Sequence, residues 1–370
     1  MTSIAITERR EAQTIVPIKA WATLGAVCVG VIAFVWIKWL TGPYTQTVHT
    51  GVTPVPGFMK TAIVVGEVVM IPAALWCFYR FLVRPWRTER RLSLDGLLCI
   101  SFLLVWFQDP LTNWFSPWIT WNSYFVNIGS WVNNVPGWIS YGAPGHQVIE
   151  PILFAPALYV VVWIGLTMLG CALMGAAKRR WPSFGPYRLF LLTFVAMFIA
   201  DAVIEGGIFM PLGFWTYAGG QLPIVYGNTY HALPLHEPIF IGLMMSCYAS
   251  LRYYRGDQGR TFVERGIDRV TGARRQGWLR LLAVIGAVQV IFLITFTVPV
   301  AFITAHGRKW PADVQKRSYL TDQICGVETS RACPGPAVPL SRGRSAYLSP
   351  DGHLIVPAGT SLPNPVAPQR

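Results

Sequence analysis

Seven apolar runs of roughly membrane-spanning length constrain the fold of this chain more than any other feature. About 20 consecutive apolar residues are needed to cross the hydrocarbon core of a bilayer. The runs lie at 21–40, 61–82, 93–107, 149–174, 187–210, 237–254 and 278–303, and the third is short. Charged residues are only 13% of the 370, about half the share that is usual in soluble domains. We therefore predict an all-α polytopic membrane protein with about seven transmembrane helices.

Basic residues are distributed unevenly among the loops between these runs. Arg9, Arg10 and Lys19 precede the first run, and further basic clusters separate runs two and three, four and five, and six and seven. The alternate loops 108–148 and 211–236 contain no lysine or arginine. Since Lys and Arg stay on the cytoplasmic side, we predict a cytoplasmic N-terminus and an outside C-terminus for a multi-pass protein of the cell membrane. The net charge of +13 is then mainly topological, and nucleic acid is not an expected partner.

This topology predicts three regions along the chain. They are a cytoplasmic segment at 1–20, a membrane domain at 21–303 with long outer loops at 108–148 and 211–236, and an outer tail at 304–370. The tail is rich in Pro, Ser and Gly from Pro334 onward, so we expect it to be largely disordered. Cys325 and Cys333 lie in this tail and could form a disulfide in an oxidising compartment.

Carboxylates occur at membrane depth, where ionisable residues are rare and mark functional sites. Asp109 ends the third run, whereas Asp201 and Glu205 lie four residues apart in the fifth and thus share a helical face. Glu150 and Glu237 each precede a proline where the chain re-enters the membrane. A carboxylate there can also be a simple helix cap. Because all of these acids fall in the outer half, we predict one outward-facing cavity with the catalytic set Asp109, Glu150, Asp201, Glu205 and Glu237, supported by His236.

Proton transfer is the chemistry that these residues favour. Acids that share an apolar cavity repel one another, so that one can donate a proton while another accepts it. His231 and His236 lack metal-motif spacing; a metal site that combines them with Asp201 or Glu205 is the less favoured alternative. No G-x-G-x-x-G fingerprint, P-loop or G-x-S-x-G elbow is present. We therefore predict no metal and no cofactor.

The stretch "WFQDPLTNWFSPWITWNSYFVNIGSWVNN" at 106–134 combines tryptophans with asparagines. Tryptophan is typical of membrane–water interfaces, and an interfacial belt alone is one interpretation. The asparagines favour a second one, a belt that also lines a pocket for an apolar, oxygen-bearing small molecule. The residues that we expect to contact this substrate are Asn113, Tyr124, Asn127, Trp131 and Asn133, together with Tyr217 and His231 of the next outer loop.

Several blocks of the sequence resemble a known family. They are "LVRPW" at 82–86, "DGLL" at 95–98, "WFQDPLTNWF" at 106–115, "NSYFVNIGSWVNNVPGW" at 122–138, "PLGFWTY" at 211–217 and "DQGRTFVERG" at 257–266. In order and spacing they resemble the AveC-like spirocyclases of actinomycetes. The resemblance implies a membrane-bound enzyme that closes a hydroxy-ketone polyketide of secondary metabolism into a spiroketal, in some members with dehydration of the ring. It does not identify the substrate or any catalytic residue.

Two other functional classes are compatible with the residues alone. A proton-coupled transporter or lipid-binding membrane protein would use the same buried acids without making or breaking a bond. A membrane-bound cyclase of the terpenoid or carotenoid type would also work by protonation in a helical bundle, although the asparagines do not suit a polyene tunnel.

Overall fold

A computed structural model describes residues 17–90, 92–140, 142–256, 259–305, 307–336, 338 and 346–358. The predictions for Arg9, Arg10 and the rest of the cytoplasmic segment before Pro17 fall outside these ranges, as does the end of the tail after residue 358.

Helices dominate the described chain. They are α1 Pro17–Leu40, α2 Gly57–Phe78, α3 Arg84–Glu89, α4 Leu94–Val105, α5 Ala155–Arg180, α6 Pro186–Ile204, α7 His236–Tyr253, α8 Ala273–Phe292, α9 Val298–Thr304, α10 Ala312–Gln315 and α11 Ser318–Thr321. π-helical turns follow α2, α6 and α8 at Tyr79–Val83, Glu205–Phe209 and Leu293–Thr297. 3₁₀ turns lie at Trp106–Asn113, Val132–Asn134, Phe262–Glu264 and Ile267–Arg269.

Strands are confined to three short antiparallel pairs in the described residues. β1 Thr120–Trp121 pairs with β2 Trp215–Thr216, β3 Ile224–Val225 with β4 Leu233–Pro234, and β5 Tyr347–Leu348 with β6 Leu354–Ile355. In the first pair Thr120 is opposite Thr216 and Trp121 opposite Trp215. This pairing joins the two long outer loops, so that they form one cap over the helices.

Six helical segments are long and apolar enough to cross a membrane, which indicates a multi-pass membrane protein. They are Pro17–Leu40, Gly57–Glu89, Leu94–Asn113, Ala155–Arg180, Pro186–Phe209 and Ala273–Thr304. The predicted sixth run, 237–254, corresponds to α7, which has 18 residues and is mostly buried among its neighbours. The count of seven spans and the orientation of the termini stay predictions.

Glycine lets two of the long helices approach closely. α1 packs along α8, and a Cβ atom at Gly25 would lie 1.9 Å from the carbonyl oxygen of Leu282. A Cβ atom at Gly286 would likewise lie 2.4 Å from the carbonyl oxygen of Trp21. Small residues at such crossings allow backbones in a membrane domain to pack directly. α6 packs against α7, and α5 lies between them and α4. This arrangement places together the ends of α4 to α7 that adjoin the cap.

The beginning of the predicted tail, residues 307–336, packs against the helical domain. Trp310, Tyr319 and Leu320 are buried in a small apolar cluster with Met59 of α2. The Thr120 hydroxyl donates a hydrogen bond to the carbonyl of Leu320 at 2.6 Å. Cys325 and Cys333 form a disulfide, as the sequence suggested. Aromatic residues spaced through this segment provide the apolar area that its Pro- and Gly-rich continuation lacks.

Asp322 in this folded tail gives a prediction about pH. It is fully buried with φ +49°, its Oδ2 accepts from the Ile149 amide at 3.2 Å, and burial raises the pKa of this carboxyl well above its usual value. At pH values above the ordinary carboxyl pKa, the folded chain therefore binds more protons than the unfolded chain. The free energy of unfolding falls as the pH rises from that ordinary pKa to the raised pKa of the folded state. Asparagine tolerates positive φ, so Asp322→Asn should stabilise the protein at pH 8 by about 1–3 kcal/mol.

The measurement is the melting temperature of the purified protein between pH 5 and pH 9. Asp322→Asn should raise it at the alkaline end and leave it nearly unchanged at the acidic end. Asp351→Asn, which changes an exposed carboxylate of the same tail, serves as the control and should follow the wild type. Equal shifts at all pH values in Asp322→Asn would show that its charge does not matter.

Candidate active site

A cavity of about 70 Å³ lies beneath the cap, between the ends of α4, α5, α6 and α7 that adjoin it. The residues that line it are Asp109, Thr112, Trp118, Ile119, Trp121, Leu158, Tyr159, Val162, Trp163, Leu166, Asp201, Ile204, Glu205, Phe209, Trp215, Tyr217, Glu237, Ile241, Met245 and Phe296. The lining combines apolar and aromatic walls with four carboxyl groups and two tyrosines. It contains no lysine, arginine or histidine among the described residues.

Asp109 is one of the carboxyl groups that line the cavity. It lies in the 3₁₀ turn after α4, just before Pro110, and proline in a helix interior removes a backbone donor and disrupts the helix. The Tyr159 hydroxyl donates to Oδ1 of Asp109, and the indole Nε1 of Trp121 donates to Oδ2 at 3.0 Å. Both oxygens of Asp109 are thus held in place by donors from α5 and from the cap.

Glu150 is a second buried carboxyl group near Asp109. It is 1% exposed, accepts a hydrogen bond from the Trp106 indole at 2.7 Å, and is close enough to Asp109 for their charges to interact. Glu150 does not line the cavity. Two neighbouring buried carboxyl groups disfavour a second negative charge, so Glu150 is a candidate proton partner for Asp109.

The other three carboxyl groups of the lining form a carboxyl cluster, which we define as Asp201, Glu205 and Glu237. One oxygen from each of the three lies within 4.8 Å of the others. The spacing of four residues puts the first two on one face of the α6 helix and its π-helical extension, and the first turn of α7 supplies Glu237. Oδ2 of Asp201 and Oε2 of Glu237 have no hydrogen-bond donor in the described part of the chain.

Tyr217 connects the cap to the carboxyl cluster. Its hydroxyl donates to Oε2 of Glu205 at 2.5 Å, and its ring stacks on Trp118 with centroids 4.8 Å apart. Burial, together with the nearby carboxylates, raises the pKa of Tyr217 well above its usual value. The phenol therefore stays protonated at neutral pH and is a permanent donor to Glu205.

The structure brings four of the six predicted catalytic residues to one cavity and places the other two outside it. Asp109, Asp201, Glu205 and Glu237 line the cavity, with Glu150 near the first of them. His236 lies near the cavity but does not line it. Its Nε2 accepts a hydrogen bond from the amide of Gln221 at 3.2 Å, which uses that nitrogen to hold the cap.

Of the residues that the sequence suggested for substrate contact, Tyr217 lines the cavity and six do not. Two asparagines organise the loop itself. Oδ1 of Asn113 accepts from the amides of Trp118 and Ile119 at 2.8 and 3.2 Å. Oδ1 of Asn127 accepts from the amide of Val48 at 3.0 Å, and its Nδ2 donates to three backbone carbonyls. These amides satisfy backbone groups that the irregular loop would otherwise leave unpaired.

The other four also have contacts outside the cavity. The side chain of Trp131 is fully buried among aromatic residues, and Asn133 donates to the Gln147 side chain at 3.2 Å. Tyr124 is 37% exposed beneath the Lys60 ammonium. His231 packs against the rings of Tyr226 and Tyr230.

Sequence reasoning missed Tyr159 and the cavity tryptophans Trp118, Trp121, Trp163 and Trp215. Tyr159 is a polar residue within an apolar run, which is the feature that identified the acids. Only the acids were considered as candidates on this ground. The indole Nε1 groups of Trp118 and Trp215 have no acceptor in the described ranges, so the cap brings two further donors to the cavity. Nothing in their sequence context distinguishes these tryptophans from those of an interfacial belt.

Four carboxyl groups and two tyrosines thus share one aromatic-walled cavity within an apolar helical domain. A family model described as "Spirocyclase AveC-like" matches residues 89–320, more than half of the chain. The chain therefore belongs to the AveC-like spirocyclase family, which confirms the resemblance and indicates a cyclase-type enzyme. All four cavity carboxylates lie within the matched range. No curated protein and no solved structure shows a significant match.

Proposed function

We propose that this protein is a membrane-bound cyclase that closes two hydroxyl groups onto one ketone to form a spiroketal. The observation that supports this most is the pairing of Asp109 with the carboxyl cluster across one aromatic-walled cavity. The reaction needs a group that accepts protons from hydroxyls and another that activates the carbonyl oxygen. In this proposal Asp109 and the carboxyl cluster supply these two roles, and family membership supports a cyclase-type reaction.

Asp109 is the proton acceptor in this proposal. A hydroxyl that attacks the ketone loses its proton to Asp109, which is oriented by Tyr159 and Trp121. Glu150, close to it, can take this proton on and return it in the next step. General base catalysis by a positioned carboxylate contributes typically about 10²–10⁴-fold in rate.

The carboxyl cluster activates the carbonyl. Three carboxylates this close in an apolar site must hold positive counter-charge, in the simplest case protons. This counter-charge polarises the ketone oxygen while the first hydroxyl adds to the carbonyl carbon. It then assists the departure of the former ketone oxygen as water. The resulting oxocarbenium ion is captured by the second hydroxyl, so that one water molecule is released for the two C–O bonds formed. Fixed carboxylates and aromatic faces stabilise the cation.

The size of the cavity bears on how a substrate binds. Its volume of about 70 Å³ is far below the roughly 300–1,000 Å³ of typical ligand pockets. A ketone with two hydroxyl-bearing arms is larger, so the side chains of the wall must move apart to admit it, and the remainder of a polyketide chain must extend beyond the cavity. The unpaired indole donors of Trp118 and Trp215 are placed to bind its oxygens and to select the face on which the ring closes.

The test uses the full-length protein in lipid nanodiscs with a synthetic dihydroxy-ketone at pH 7.5. We expect faster spiroketal formation than in empty nanodiscs and an excess of one stereoisomer, measured by chiral chromatography with mass spectrometry. A rate and an isomer ratio equal to the background for a panel of chain lengths would refute cyclisation. Saturable binding of the ketone without conversion would instead favour the carrier class.

A further inference from the structure

We propose that Asp201, Glu205 and Glu237 bind a hard divalent cation, such as Ca²⁺ or Mn²⁺, in the wall of the cavity. For its chemical role this proposal rests on the proposed function, because the cation would be the counter-charge that faces the ketone. The binding itself stands on the geometry of the carboxyl cluster and can be tested without any substrate.

The distances within the cluster suit a cation. The three carboxylate oxygens lie within 4.8 Å of one another. At the corners of an equilateral triangle with sides of that length, each oxygen would be about 2.8 Å from the centre. Ca²⁺ binds oxygen at about 2.3–2.6 Å, so side-chain movements of a few tenths of an ångström bring all three oxygens into its coordination range. The three ligands come from adjoining elements, α6, its π-helical extension and α7, that pack directly against each other.

Unpaired oxygens provide a second observation. Oδ2 of Asp201 and Oε2 of Glu237 are buried without a donor in the described residues, and these side chains are only 5% and 1% exposed. An unpaired, buried carboxylate oxygen carries a large desolvation penalty. Both residues line the cavity, and no described lysine, arginine or histidine in its lining offers a positive charge. A cation at the cluster would satisfy both orphaned oxygens at once.

The donor set determines the class of metal. An oxygen-only site selects hard cations of the Ca²⁺, Mg²⁺ and Mn²⁺ type over metals that prefer nitrogen or sulfur. Tyr217 donates to Oε2 of Glu205 at 2.5 Å, and such outer hydrogen bonds orient metal-binding carboxylates. The cavity beside the cluster has room for water. That water could be exchanged for the ketone oxygen and a hydroxyl of the substrate.

The experiment titrates the metal-free full-length protein in nanodiscs with Mn²⁺ and follows free Mn²⁺ by electron paramagnetic resonance. We expect one strong site per chain, competition by Ca²⁺, and a melting temperature that rises with cation concentration because only the folded state binds. Asp201→Asn and Glu237→Gln preserve side-chain shape and should each weaken Mn²⁺ binding more than 10-fold. That factor is the lower end of the range for loss of a residue that only hydrogen-bonds a metal ligand. Glu67→Gln changes a buried carboxylate of the membrane domain that does not line the cavity, and should bind Mn²⁺ like the wild type.

The outcomes separate this proposal from the proposed function. Absence of Mn²⁺ binding up to millimolar concentration in folded protein, or equal binding by Glu237→Gln and the wild type, would overturn the cation site and leave protons as the counter-charge. Cation binding at the cluster in a protein that never converts a dihydroxy-ketone would support the site while refuting the cyclase. Cyclisation that persists after complete chelation would overturn the chemical role of the cation, while the Mn²⁺ titration decides the binding site.

Discussion

Asp109→Asn is expected to slow ring closure of a dihydroxy-ketone by about 10²–10⁴-fold, the range for loss of a positioned general base. Asparagine has nearly the shape of aspartate but cannot take a proton from an attacking hydroxyl. One oxygen remains to accept from Trp121 or Tyr159, which now donate to the two carboxylate oxygens. The fold should therefore survive, and the loss should appear in kcat rather than in substrate binding. The measurement is the rate of spiroketal formation in nanodiscs, after correction for the spontaneous reaction.

Glu67→Gln is the matched control for this experiment. Glu67 is another buried carboxylate of the membrane domain, but it accepts a hydrogen bond from the amide of Val126 at 2.9 Å and does not line the cavity. Glutamine preserves that acceptor, so the rate should be that of the wild type. Tyr159→Phe tests the orienting donor without a change in charge and should cost about 10-fold. Full activity in Asp109→Asn would remove Asp109 from the mechanism.

The carboxylates could be predicted to meet because their evidence is local and physical. Asp201 and Glu205 are spaced four apart in an apolar run, which fixes them on one helical face, and Glu237 begins the helix that packs on that face. An acid inside a membrane helix needs a partner or a function wherever it occurs. The pattern thus indicates the cavity without any knowledge of how the loops fold.

The asparagines of the outer loop could not be assigned in this way. A buried amide needs hydrogen-bond partners, but the sequence does not show whether a ligand or the chain itself provides them. Asn113 and Asn127 bind backbone amides of the loop and of the segment before α2. An irregular chain of this length has many backbone groups outside helices and strands, and short polar side chains satisfy them. A substrate contact and a loop contact therefore leave the same signal in the sequence.

The packing of the start of the tail on the rest of the chain could not be predicted for a related reason. The composition of this segment suggested disorder because it was averaged with the Pro- and Ser-rich residues that follow. Trp310 and Tyr319 bury their rings against the chain near α2, and the backbone of Tyr319 binds the amide of Ser123 in the aromatic loop at 2.9 Å. These partners are about 200 to 260 residues away, and no local pattern specifies pairing over that separation.

Trp131→Ala should have the largest effect on stability, about 3–5 kcal/mol, the usual range for deletion of a buried tryptophan or phenylalanine side chain. Trp131 has no exposed surface. Its ring packs edge-on against Trp106 with centroids 4.8 Å apart and against Trp39 at 5.4 Å, and its Nε1 donates to the carbonyl of Phe107 at 3.0 Å. The substitution leaves a cavity and an unpaired buried carbonyl. The measurement is the melting temperature of the purified protein in detergent.

Tyr124→Ala separates a structural role from substrate contact in the same aromatic loop. Its ring is 37% exposed and lies beneath the Lys60 ammonium at 5.6 Å, a contact worth about 0.5–1 kcal/mol at an exposed site. The melting temperature of Tyr124→Ala should therefore stay close to that of the wild type, while that of Trp131→Ala falls steeply. If Trp131 instead bound substrate, Trp131→Ala would raise KM and leave the melting temperature unchanged.

Because Trp106 both packs on Trp131 and donates to Glu150, the Trp131→Ala substitution should also displace Glu150. We therefore expect the fraction of Trp131→Ala that remains folded to lose activity through kcat, since a displaced Glu150 no longer exchanges a proton with Asp109.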